Sequence, residues 1–275
     1  MILNYSDFSV HDLLPTDEVI TELIRADKKC EGSLMIVGAE CRNLIHESLG
    51  FSLALRSTSD LDVAIGMNDW DAFARIAKTY PATGDSGMRF LIEGFPVDVM
   101  PFGNVEAPEG KVDPPGRGED FDVFGMRQVF EAANIIRFAS GSSARLPTPE
   151  GYAALKIKAW IDRSARYETK DARDMSVILY WYHEAQKFND ELFNEHIDLI
   201  LSLNSDIDLA AAHLLGLHIT RVLGEDLASE LSAIWSKDSR TKMAREMRDQ
   251  SIPRSGDSAR NEAYLNAVHD ELTKR

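Results

Sequence analysis

Residues 57–65 read STSDLDVAI, and the two carboxylates in that run, Asp60 and Asp62, decide how the chain is expected to fold. They stand two apart at the head of an apolar segment, LDVAIG, which has the length and composition of a buried strand. On a strand, side chains two residues apart project to the same face, so both carboxylates point one way. Upstream, SLMIVG (33–38) is another short apolar run, ended by Gly38, and RNLIHESLG (42–50) reads as a short helix stopped by Gly50. Downstream, NDWDAFARIAKTY (68–80) has helical spacing, with Asn68 or Asp69 as its cap. GMRFLIEG (87–94) and FPVDVMPFG (95–103) then read as two strands joined by a tight Glu93-Gly94 turn, with Asp98 set among apolar neighbours in the second.

If the Asp98 strand lies beside the Asp60/Asp62 strand, three carboxylates meet. Carboxylates so close repel one another unless cations neutralise them. Mg²⁺ is the natural partner, a hard ion that takes carboxylate oxygens and leaves positions open for phosphates. Two such ions ~4 Å apart can activate an attacking hydroxyl and stabilise a leaving pyrophosphate. Asp60 as a mere strand cap and Asp98 as a chance polar residue is the plainer alternative, but an unpartnered Asp in a buried strand is costly. Gly38-Ala39 closes a strand and opens a helix, and small residues there let phosphate oxygens approach the N–H groups of the helix start.

The remaining first half adds a helix over 16–29 with Thr16 as its cap, a Gly/Pro-rich loop from Gly103 to Arg117 that extends to a lid over 103–120, and a late strand in ANIIRFA (133–139). Beyond Pro147 the pattern turns helical, and five or six helices packed as a bundle are expected. The Gly/Ser/Pro-rich stretch GSSARLPTP marks the boundary near 140–148, giving domains 1–145 and 146–275. The expected class is thus α/β (α+β): a mixed sheet with helices, followed by a helical bundle, with the active cleft between them.

Composition narrows the function. The chain of 275 residues carries a net charge of −15, which opposes sequence-blind binding to nucleic acid but leaves room for a local basic groove or a small anionic substrate carried with Mg²⁺. Two cysteines, Cys30 and Cys41, make no disulfide framework and suit a reducing compartment. The N-terminus lacks the pattern of a signal peptide, and no apolar run is long enough to cross a membrane, so a soluble cytoplasmic protein is expected. The seven histidines show no zinc-ligand spacing, and neither a G-x-S-x-G elbow nor a Walker lysine is present.

The order of these features, hG-small, then D-h-D, then h-D-h, resembles the polymerase-β-like nucleotidyltransferase superfamily. Its wording, VGAECRNLI, TSDLDVAI, VDVMPFG, ALKIKAWIDR and KDARDM, is similar to the AbiEii-type branch over about residues 33–180. The resemblance implies a nucleotidyltransferase fold. Asp60 and Asp62 would hold two Mg²⁺ ions, while Asp98 would hold one and help deprotonate the acceptor hydroxyl. Two departures stand out: Ala39 replaces a Gly or Ser, removing a hydroxyl that Ser57 or Ser59 would have to supply, and Asn43 stands where an acidic residue is common. Arg42 would face the phosphates or, more simply, make a salt bridge, Asp60 being one partner.

In the second half, GYAALKIKAWIDR brings Tyr152, Lys156, Ala159 and Arg163 near one helical face, so Lys156 and Arg163 could neutralise a triphosphate or could form an ordinary solvated basic face. The resemblance points to Lys156 of the two. Lys158, on another face, is expected to be solvent-exposed. Asp171 sits in the first turn of the next helix, where it suits the helix dipole. The resemblance makes Asp171 and Asp174 a brace, pairing Lys156, Arg163 or Lys170. Trp160, Trp181 and Tyr180 read as core.

The implied reaction moves a nucleoside monophosphate from an NTP to an acceptor hydroxyl and releases pyrophosphate. By resemblance the acceptor is an RNA 3′ end and the protein a toxin restrained by an antitoxin partner. An aminoglycoside-like small molecule or a protein side chain is the enzymatic alternative, and a catalytically degenerate nucleotide-binding regulator is the alternative of another class.

Overall fold

The computed structural model describes residues 1–4, 8, 14–56, 59–84, 86–115, 120–164, 168–249, 251–253 and 255–274. Chain contacts divide it into two compact units, Met1–Thr148 and Pro149–Arg275.

The first unit is built on a seven-stranded mixed sheet in the order β1-β8-β9-β2-β3-β5-β4. Its strands are β1 (Ile2–Asn4), β2 (Leu34–Val37), β3 (Leu61–Met67), β4 (Arg89–Ile92), β5 (Phe95–Gly103), β8 (Asn134–Arg137) and β9 (Ser143–Leu146). A separate ribbon pairs β6 (Lys111–Val112) with β7 (Phe121–Asp122). The continuous apolar run of β2 is buried at all four positions, as a strand flanked on both sides by others should be. In the order given, β3 runs antiparallel to β2 and parallel to β5, and β4 antiparallel to β5. The β4–β5 connection is a two-residue turn in which Glu93 (φ 49°) and Gly94 (φ 83°) both take positive φ, the signature that fits the right-handed twist of a hairpin. That turn sets the register, placing Ile92 opposite Phe95 and, three steps on, Arg89 opposite Asp98.

Helices α1 (Leu14–Ala26), α2 (Gly38–Ser48), α3 (Asp71–Thr79) and α4 (Met126–Ala132) accompany the sheet. α2 packs on β2, β3 and β9, and α4 on β5. Several boundaries differ from expectation. α1 begins at Leu14, so Thr16 lies inside it, buried, and donates to Glu40 Oε1 (3.3 Å) instead of capping. α2 begins at Gly38 itself. Of the two expected caps of α3, Asp69 accepts the Asp71 N–H at 3.0 Å. The 103–120 stretch carries β6, so it is a pleated excursion and not loop throughout. Strands β1 and β9 were too short to read from the sequence. β9 takes up Ser143–Leu146 inside the supposed Gly/Ser/Pro hinge, which moves the boundary to Thr148/Pro149. Pro149 then opens a helix, where its fixed φ and missing N–H cost nothing.

The second unit contains, among the described residues, eight helices where five or six were expected: α5 (Pro149–Arg163), α6 (Lys170–Glu184), α7 (Gln186–Glu195), α8 (Ile197–Ser202), α9 (Ile207–Leu223), α10 (Glu225–Ile234), α11 (Lys237–Glu246) and α12 (Ser258–Thr273). The surplus comes from breaks inside long helical patterns, such as Ala185 and His196, which leave the helical conformation with no Pro or Gly to announce it. α9 is apolar on most sides and packs against α5, α6, α7, α10 and α12, as an all-round hydrophobic helix must. Asp206, Ser236 and Asp257 cap α9, α11 and α12 through their side-chain oxygens. Trp160 and Trp181 are fully buried and Tyr180 half-buried. No helix among the described residues is long and apolar enough to cross a membrane.

Helix α2 carries a test of the packing. His46 is buried, and burial, aided by the nearby Arg42 charge and opposed by a backbone hydrogen bond at Leu53, lowers its pKa to about 4 from 6.5. The folded state therefore keeps the ring neutral where the unfolded chain protonates it. His46 contributes its full stability above pH 6.5, and that contribution is lost as pH falls from 6.5 towards 4. The His46→Leu variant should lose about 2 kcal/mol less stability than wild type between pH 7 and 5 in urea unfolding. Equal losses would contradict a neutral buried ring.

Candidate functional site

Four neighbouring strands place one row of residues side by side: Val37 of β2 opposite Asp62 of β3, Asp62 opposite Asp98 of β5, and Asp98 opposite Arg89 of β4. Directly paired residues project to the same face, so Asp62, Asp98 and Arg89 share one side of the sheet, and Asp60, two residues before Asp62, shares it too. The strand register thus brings Asp62 and Asp98 side by side.

At one end of the row the chain passes from Val37 into α2 through Gly38 (φ 66°). A Cβ at Gly38 would collide with Asp62 Oδ2 and lie 2.6 Å from its Cγ, so the Asp62 carboxylate rests against the bare α-carbon. Only glycine allows both this approach and this φ without strain. The positive end of an eleven-residue helix thereby stands beside Asp62.

At the other end, Arg89 grips Asp98 with two hydrogen bonds, Nε to Oδ1 at 2.8 Å and Nη2 to Oδ2 at 2.6 Å. The same Nη2 reaches Asp60 Oδ2 at 3.0 Å. The Asp98 hydrogen bond and charge, helped by Asp60 and opposed by partial burial, raise the guanidinium pKa further above its usual value. The site is partly open: the side chains of Asp60, Asp98 and Arg89 are 35%, 24% and 37% exposed.

The other expected phosphate-side residues divide. Ala39 is half-buried in the first turn of α2 and Ser59 is exposed beside Asp60, while Ser57 lies outside the described residues. Arg42 is buried; its Nη2 donates to the Arg56 carbonyl (2.5 Å) and to Asn43 Oδ1 (2.9 Å). Asn43 thus serves Arg42 as an acceptor.

Lys156 and Arg163 belong to a network inside the second unit. Lys156 Nζ pairs with Asp171 (3.0 Å) and Asp174 (2.8 Å), Arg163 Nη1 pairs with Asp171 (3.2 Å), and the Tyr152 hydroxyl donates to Asp174 (3.2 Å). Burial works against the Lys156 charge, but Tyr152 and the two aspartates outweigh it and raise its pKa well above the usual range. Asp171 and Asp174 are essentially inaccessible, so the lysine holds together charges that would otherwise be buried and uncompensated. The bracing pairs expected of Asp171 and Asp174 are present, except that Lys170 sits near Glu168 (3.7 Å). Lys158, expected in solvent, is buried along its stem and pairs with Asp162 one turn on (2.7 Å).

The donor set of the row is carboxylate oxygen, which suits a hard divalent cation, and the space a Cβ would fill at Gly38 is given to one of those carboxylates. Among the described residues, the three-residue group whose ligand atoms all lie within 4.8 Å of one another is a different one, Glu191, Glu195 and His196. The aspartate trio is spread wider, with Arg89 between Asp60 and Asp98. Glu191 already accepts from His218 (2.9 Å) and lies 3.6 Å from Arg221, so that second group is an ion-paired surface cluster.

Sequence inspection overlooked Arg89, although the Glu93-Gly94 turn contains the signal: counting back equally from a two-residue hairpin turn puts Arg89 opposite Asp98. Comparisons with family models, curated proteins and solved structures return no match.

The Gly38→Ala variant should cost about 1–2 kcal/mol in backbone strain and also displace the Asp62 carboxylate. Gly32→Ala is the control, since Gly32 shares a positive φ (77°) and has open space around it. Mn²⁺ affinity is expected to fall at least tenfold in Gly38→Ala and to stay at the wild-type value in Gly32→Ala. Equal affinities in the two would remove the Gly38–Asp62 contact from the account.

Proposed function

We propose that the chain is a divalent-cation-dependent nucleotidyltransferase, moving a nucleoside monophosphate from an NTP to an acceptor hydroxyl with release of pyrophosphate. The observation that carries this proposal is the pairing of Asp62 with Asp98 across β3 and β5, with Asp60 on the same face and Gly38 at the helix start against Asp62. Mg²⁺ bound by these carboxylates would screen the triphosphate and acidify the acceptor hydroxyl. The chain's own contribution is positional. The first turn of α2 offers backbone N–H groups and helix-dipole potential to phosphate oxygens. Asp98 is the carboxylate set to take the proton of the acceptor hydroxyl. As in other phosphoryl transfers, orientation and charge stabilisation supply the rate.

The particular enzyme we propose is one that uses an RNA 3′ end as acceptor, as a toxin whose activity an antitoxin restrains. That choice rests on the wording of the motifs, and the acidic chain is the reason to test cationic small molecules beside it. A nucleotide-binding regulator without transfer is the second proposal, favoured by the two pairs Arg89 makes with Asp60 and Asp98 and by Ala39.

Purified protein incubated with Mg²⁺ and each α-³²P-labelled NTP, with total RNA, aminoglycosides or no added acceptor, separates these proposals. Label should pass to RNA and fall by at least a hundredfold in Asp60→Asn/Asp62→Asn. Label on an aminoglycoside or on the protein would keep the chemistry and change the acceptor. Absence of transfer with nucleotide binding intact by calorimetry would replace the enzyme with the regulator.

A further inference from the structure

The row is not a bare carboxylate cluster: the Arg89 guanidinium pairs with two of its three aspartates, Asp60 and Asp98. Arg89 engages both Asp98 oxygens and one Asp60 oxygen. A cation shared by Asp60 and Asp98 would sit ~2 Å from its oxygens. The guanidinium nitrogens, 2.6–3.0 Å from the same oxygens, would be pressed against it.

The position of Arg89 is fixed by the fold. The hairpin register places it opposite Asp98, and both ends of the bidentate pair come from strands whose neighbouring residues, Phe90, Val97 and Val99, are buried. The Arg89 side chain is 37% exposed, so it can turn outward without opening the core. A planar fork matches a carboxylate bidentately, and its charge is permanent, so it works as a stand-in cation at any ordinary pH.

We propose that Arg89 is the built-in counter-cation of this carboxylate row, and that a divalent cation enters between Asp60 and Asp98 by displacing it. This deepens the proposed function by adding a control on metal entry: the ion-free row is closed on Arg89, and the ion shared by Asp60 and Asp98 binds well only when the charge of a triphosphate joins it. Arg89 is in this sense a positioning residue.

Metal binding tests it without reference to activity. Mn²⁺ titrated into the full chain in the absence of nucleotide, and followed by the free-ion electron paramagnetic resonance signal, should bind at least tenfold more tightly to Arg89→Gln than to wild type. Arg89→Lys, which keeps the charge, should bind as wild type does. An Arg89→Gln protein that is folded by circular dichroism and binds Mn²⁺ equally or more weakly would overturn the proposal, as would binding that survives unchanged in Asp60→Asn/Asp62→Asn. Should Arg89→Gln fail to fold, the wild type answers alone. Mg²⁺ should speed hydrogen exchange at the Arg89 Nε–H in nuclear magnetic resonance spectra, and exchange unchanged at saturating Mg²⁺ would contradict displacement. The transfer assay is separate. Absence of transfer together with an intact exchange of Arg89 for metal removes the enzyme and leaves the counter-cation, while transfer without that exchange does the reverse.

Discussion

Two aspartates stand directly opposite each other on neighbouring parallel strands, and the rest of the first unit is arranged around that strain. Unit charges ~5 Å apart at an effective dielectric of ~20 repel by about 3 kcal/mol, and Asp60 adds to the load. Here the repulsion is managed from both ends. The start of α2 lies against Asp62, made possible by the missing side chain at Gly38, and the guanidinium of Arg89 spans Asp98 and Asp60. Both devices are positive: the first is backbone, while the second is a side chain on the edge strand β4, at a partly open site.

The second unit manages buried charge differently. Asp171 and Asp174 have no access to solvent, and Lys156, Arg163 and Tyr152 meet them within hydrogen-bonding reach. Removing one member of such a network leaves the others uncompensated, so it holds helices α5 and α6 in register whatever else it does. Two kinds of acidic cluster are thus found among the described residues: one closed, the other partly open with Arg89 across Asp60 and Asp98.

Much of this was legible before the structure. Apolar runs bounded by glycine gave β2, β3 and β5, and two-residue spacing put Asp60 and Asp62 on one face. What the pattern could not supply was pairing. Strand adjacency is a long-range property, so the parallel β3–β5 register had to be assumed. The β4–β5 register was in reach, because a two-residue turn with positive φ at both positions fixes it, and Arg89 follows by counting. Short strands were beyond reach for a different reason: three or four residues such as ILN or SARL carry too little periodicity to stand out. Lys158 and Thr16 misled because residue type predicts exposure or capping only until a neighbour such as Asp162 or Glu40 accepts the hydrogen bond. The helix count failed at Ala185 and His196, where chain direction changes without a breaker residue.

The central claim is that Asp60, Asp62 and Asp98 together hold a divalent cation that carries a nucleoside triphosphate. Anomalous diffraction from crystals grown with Mn²⁺ and a non-hydrolysable NTP addresses it directly. The account predicts a manganese peak bounded by all three carboxylates, with the triphosphate at the start of α2 and the Arg89 guanidinium turned away from Asp60 and Asp98. A peak at Glu191, Glu195 and His196 alone, or no peak with the Arg89 pairs intact, would contradict it.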